Sequence, residues 1–203
     1  MPYSYFFGYG TSLYAQLTTV LGIAISTLFW RALYKRLDIW KEFISFASIP
    51  LILWIVFGTL DITITTRCAF AKSECEGNLA SRLFFEHFGF FGGALVSFAW
   101  ISLWSIIMLV IIKLTKKHET LSHFLNRTIL YNLAFSHMLG FSTWLNATKP
   151  ISAFFSTPYP TDLLSWIFPT TVQELLPGIL LAIFHYIFEM LTSKGQKPTA
   201  KSS

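Results

Sequence analysis

Five long apolar runs, separated by short clusters of charge, set the pattern of this chain. Nothing charged occurs from Met1 to Trp30, and "TSLYAQLTTVLGIAISTLFW" fills 11–30. A second run occupies 43–62, and a third stays uncharged over 88–112. A fourth, 128–148, is interrupted by His137, and the last, 169–188, carries Glu174 and His185 and ends against Glu189. A helix that crosses a bilayer needs about 20 predominantly apolar residues. The pattern therefore predicts an all-α, polytopic transmembrane helix bundle of about five spans. It reads as one membrane domain over 1–192, and the polar tail "SKGQKPTAKSS" is expected to be disordered from 193 to 203.

Composition agrees. Charged residues make up 12% of the chain and hydrophobic residues 54%, against about a quarter charged in a soluble domain. Mean hydropathy is +0.56. Too little polar surface is left for a particle surrounded by water, so the expected partner is a lipid bilayer.

The distribution of charge predicts orientation. No basic residue precedes the first run, whereas Arg31, Lys35 and Arg36 follow it. That is the arrangement of an uncleaved anchor with its N-terminus outside, and not of a signal peptide with a basic leader and a cleavage site. Eleven of the fifteen basic residues, including Arg127 as a charge of the loop near 113–127, then fall on the inner side, in agreement with the positive-inside bias. The C-terminus is cytoplasmic in this scheme, and the cell membrane is the expected location. Trp30, Trp40, Trp144 and Trp166 fall near run ends, where amphipathic rings favour the interface. The net charge of +5 belongs to this topology, and no basic stripe with interleaved aromatics points to nucleic acid.

Both cysteines, Cys68 and Cys75, lie in the loop predicted to be outside. An oxidising compartment and a short loop admit a disulfide, with free thiols as the alternative. The C-x6-C spacing is unlike that of a redox pair, and no histidine in the loop supports zinc. Gly89, Gly93 and Ser97 recur every four residues, a small face that lets another helix approach. That face serves either packing within the bundle or docking of another membrane subunit or a second copy.

Ionisable groups within spans are costly and attract functional hypotheses. Asp61 lies at the outer edge of the second run, where Arg67 or Arg82 would be its ordinary partner. His137 sits near the middle of the fourth run, beside a stripe of Asn132, Ser136, Gly140 and Thr143. Glu174 lies between Pro169 and Pro177, and a proline leaves the carbonyl four residues earlier without its helical donor. Counted back from Glu189, Glu174 falls in the outer part of its span. His185 and Glu189 are one turn apart and read as a surface pair near the inner boundary. No metal-ligand spacing, phosphate loop or nucleophile motif is present, so neither a metal nor a cofactor is expected.

From Leu51 to Asn132 the layout resembles an uncharacterised family of small prokaryotic multi-pass membrane proteins. The resemblance rests on Asp61 late in one span, Glu76 and Asn78 of "ECEGN" in the following loop, a long span, and Asn132 in the next. Leu79 stands where that family usually has proline, and a lysine common in its following span is missing. The resemblance implies architecture alone. Three functions remain open: a non-enzymatic subunit, scaffold or assembly partner, expected first; a small transporter or channel component using Glu174, His137 and Asp61; and an intramembrane lipid-modifying enzyme. A water-accessible cavity lined by both Glu174 and His137 would count against the first.

Overall fold

In a computed structural model, which describes residues 3–71, 79–144 and 172–193, the first apolar run becomes one helix, α1, Tyr3–Arg36. Lys35 and Arg36 occupy its last turn, where cations complement the negative end of the helix dipole. Asp38 then takes a positive φ of 58°, a conformation that a short polar side chain tolerates. This reverses the chain into α2, Trp40–Ala71. The short helix α3, Leu79–Phe88, follows, and Gly89 at φ 51° opens a tight turn through Phe91. Then come α4, Gly92–Leu114, α5, Glu119–Trp144, and α6, Val172–Ser193.

Every regular element among the described residues is helical. Four helices are long and apolar enough to cross a membrane, over Leu13–Arg36, Trp40–Thr66, Gly92–Leu114 and Leu175–Thr192. The polar content of α5 keeps it out of that set. Several of its polar residues are turned inward, however: Ser122, Asn126, Arg127 and Asn132 are buried, while Glu119, Thr120 and Ser136 are exposed. Large apolar side chains such as Leu28, Ile52, Phe184 and Phe188 cover the outside instead, each more than half exposed.

Side-chain hydrogen bonds fix how the helices run. Trp30 Nε1 donates to Ser102 Oγ at 2.9 Å and the Tyr34 hydroxyl donates to Ser105 O at 2.8 Å, so α1 and α4 are parallel. The Tyr34 and Phe43 rings meet at 5.0 Å beside the turn and Gln16 Nε2 reaches Thr63 O at 3.0 Å far from it, which sets α2 antiparallel to α1. Gly22 lies so close to Ala94 that a Cβ there would come within 2.8 Å of the Ala94 Cα. On its other side α2 packs along α5, and α6 docks chiefly on α5. The two tight turns, after α1 and after α4, therefore share one end of the bundle, with Arg31, Lys35, Arg36, Lys41, Lys113, Lys116 and Lys117 around it. Between the helices, Tyr34, Phe43, Trp54, Trp104, Met108 and Leu133 form the middle of the core.

Pro50 lies inside α2 and is fully buried. Lacking an N–H, it leaves the carbonyl of Phe46 without its helical donor. Arg127 supplies the replacement: its Nε donates to Phe46 O at 2.8 Å. The same guanidinium forks onto Glu189 of α6, through Nη1 to Oε2 at 2.7 Å and through Nη2 to Oε1. His185 Nε2 lies 3.5 Å from Glu189, and the Tyr131 hydroxyl donates to His185 Nδ1 at 2.8 Å. One arginine thus ties three helices together near the basic end.

Candidate functional site

Asp61 and His137 meet where α2 and α5 run side by side. His137 Nδ1 donates to Asp61 Oδ2 at 2.9 Å, and each side chain is 19% exposed. Two glycines make room for the pair. A Cβ at Gly140, one turn beyond His137, would lie 2.7 Å from Asp61 Oδ1. A Cβ at Gly58, one turn before Asp61, would stand 3.5 Å from the imidazole. The carboxylate is thus seated in the notch that Gly140 leaves on α5. Gly140→Ala should push it out and weaken the bond to His137. Hydrogen bonds to charged groups are worth about 1.5–3 kcal/mol, which sets the size of the expected loss. Thermal unfolding of Gly140→Ala, Asp61→Asn and the double variant checks this. Less-than-additive losses are expected, and additive ones would mean that Gly140 acts elsewhere.

The pair forms part of the wall of a cavity of about 240 Å³ between α1, α2 and α4. At one end are Asp61, His137 and Ser81; at the other are Arg31 and Trp40. The guanidinium of Arg31 lies 5.7 Å above the Trp40 ring. Trp40 and Asp61 both line the cavity on α2, so it extends for about 30 Å at 1.5 Å per helical residue, comparable with the hydrocarbon thickness of a bilayer. Between the ends the wall is mostly apolar and aromatic, with Trp30, Tyr34, Trp54 and Trp100 contributing rings. The polar ends of Trp30 and Tyr34 are bonded to α4, and the two rings pack edge-to-face at 6.2 Å.

The remaining sequence candidates fall in several places. Gly93 packs within the bundle, where a Cβ would collide with the hydroxyls of Thr19 and Thr66. Ser97 is buried, donates to Gly93 O at 2.7 Å and lines the cavity, whereas nothing approaches Gly89. Asn132 is buried at the α5–α6 crossing, where its Cβ would be 2.8 Å from one added at Gly178. Glu174 is in the first turn of α6, with its side chain outside the described residues. The side chain of Cys68 and the whole of Cys75 also lie outside them, as does the tail.

Asp61 pairs with His137; of the two arginines expected for it, Arg82 is engaged by Glu86 at 3.3 Å, and the side chain of Arg67 lies outside the described residues. His185 and Glu189 do pair, but within the Arg127 network. The sequence reading also missed Arg127, which it counted as an inner loop charge; its side chain is 5% exposed. Pro50 carried the only available signal, since a proline within a long apolar run announces an unpaired carbonyl.

Among the described residues, Glu42, Glu119 and His123 form the one group of metal-capable donors, with atoms within 4.8 Å of one another. Glu42 and Glu119 are exposed, and exposed carboxylates commonly cluster without an ion. His123 stacks on Phe46 at 4.1 Å between centroids, and burial holds its imidazole below the ordinary range.

Comparison with protein-family models, with curated proteins and with solved structures finds no match for this chain. The class is therefore defined by the helices and the cavity.

Proposed function

We propose that this is a five-span membrane protein that binds a small, largely apolar molecule within the bilayer, in the manner of a small transporter or carrier. The observation that carries this reading is the Asp61–His137 pair set in the wall of an otherwise aromatic cavity. A scaffold has no use for a carboxylate and an imidazole kept beside open space in an apolar bundle, because both are costly there. An enzyme of lipid would need a nucleophile or an activated water placed against His137, and the hydrogen bond that His137 is shown to make is with Asp61.

The fifth span is α5. Arg127 and His137 are engaged by α2 and α6, and Asn126 and Asn132 are buried, so its low hydropathy overstates the polarity it offers to lipid. The basic end lies in the cytoplasm by the positive-inside bias, with the N-terminus and the Asp61 end of the cavity outside. The cell membrane is the corresponding location. The resemblance over Leu51–Asn132 fits this architecture and adds nothing on ligands.

Cavity size supports occupation: about 240 Å³ exceeds the roughly 150 Å³ that accepts benzene in an engineered apolar cavity. The test is saturable stabilisation of the purified protein in lipid nanodiscs by 4-phenylbutanol. A ligand at about 100 times its Kd adds about 2.7 kcal/mol, several degrees in melting temperature for a chain of this size. Ile101→Trp, which fills the cavity wall from α4, should abolish the effect. An equal shift in the variant, or no saturable shift in the wild type, would overturn the reading.

A further inference from the structure

The Asp61 end of the cavity is incomplete in charge. A carboxylate largely removed from water needs a cation or several donors beside it. Among the described residues the one ionic partner of Asp61 is His137, which is charged only when protonated. The basic side chain on neighbouring α3, Arg82, is turned to Glu86. His137 occupies one position on Oδ2, whereas a carboxylate offers about four acceptor sites. Asp61 therefore retains capacity toward the cavity that it lines.

The wall favours the same sign of charge. Indole and phenol rings present negative faces, and a cation near them gains electrostatic stabilisation. Trp30 Nε1 and Tyr34 Oη donate to Ser102 and Ser105, so neither of these donors is left for an anion in the cavity. An anion would meet Asp61 as a like charge. The far end already holds a cation of the protein, Arg31 over Trp40, which leaves the Asp61 end for a second one.

We infer that the cavity takes a lipophilic amine, with its protonated nitrogen against Asp61 and its apolar or aromatic body extending along Trp54 and Trp100 toward Arg31. This rests on the reading of the cavity as a ligand site and specifies its ligand. The amine binds without covalent change and completes the ion pair that His137 alone leaves partial.

The experiment compares 4-phenylbutylamine with 4-phenylbutanol, which differ in the head group alone, by titration of the full chain in nanodiscs with tryptophan fluorescence as the readout. The wild type is expected to prefer the amine about tenfold, the scale of one charge-assisted contact in a partly desolvated site. Asp61→Asn, nearly identical in shape, should bring the two compounds within about twofold by weakening the amine and sparing the alcohol. A second measurement needs no variant: 4-phenylbutyltrimethylammonium, a permanent cation, should displace the amine. Equal binding of amine and alcohol by the wild type, a preference retained in Asp61→Asn, or failure of the permanent cation to compete would each overturn the assignment while the cavity reading stands. Binding of neither amine nor alcohol would overturn both.

Discussion

Arg127→Ala lowers stability by about 3 kcal/mol, the lower end of the range for breaking a buried ion pair. Two losses combine. The Phe46 carbonyl, already deprived of a donor by Pro50, is left unsatisfied inside the bundle, a cost of about 1–3 kcal/mol. The Glu189 fork is lost as well, but that side chain is 43% exposed and finds water, so its share is discounted. Unfolding of the purified protein by heat or by dodecyl sulfate measures the total. Arg127→Lys should recover only part of it, because an ammonium has no planar fork with which to reach a carbonyl and a carboxylate together. An Arg127→Ala variant within about 0.5 kcal/mol of the wild type, the range of an ordinary surface substitution, would remove Arg127 from this role.

Gly178→Val should separate α6 from α5. A Cβ at Gly178 would lie 2.6 Å from the Thr128 carbonyl oxygen and 3.0 Å from the Asn132 nitrogen. Both are backbone atoms of α5, so no rotamer change relieves the clash and the helices must part. Overpacking alone costs about 1–3 kcal/mol. Parting also strains the Arg127–Glu189 and Tyr131–His185 bonds, which cross the same interface. The expected total is about 3 kcal/mol or more, with faster hydrogen exchange confined to α6. Combined with Arg127→Ala, the loss should fall short of the sum, because a helix already detached has little further to lose. Full additivity would mean that the two residues do not hold the same interface.

The apolar runs made the helices legible, because a segment of that length and composition has few ways to satisfy its backbone other than as a helix. Asp61 and His137 could each be singled out as costly, yet not as partners. They are 76 residues apart in sequence, and only the packing of α2 on α5 brings them together. Local reasoning favours nearby arginines for Asp61 for the same reason. Arg127 was misread because a count of charge records that a residue is basic, while its position on α5 decides whether it meets lipid, water or another helix. Gly58 and Gly140 carry no chemistry of their own and acquire meaning only from the ring and the carboxylate they admit. The cavity lies between three helices, so no stretch of sequence contains it.

Pro50 and Arg127 have a consequence for assembly. In hydrocarbon, an open carbonyl on α2 and a guanidinium on α5 are each expensive while apart. Together they cancel much of that expense. The chain emerges with α2 first, so its open carbonyl waits, hydrated or at the interface, until α5 is made. If α5 is the fifth span proposed above, the favourable route brings it in along the flank of α2, with the arginine sheltered on entry. A defect placed early in the chain thus serves as a receptor for a later helix and sets the order in which the bundle closes.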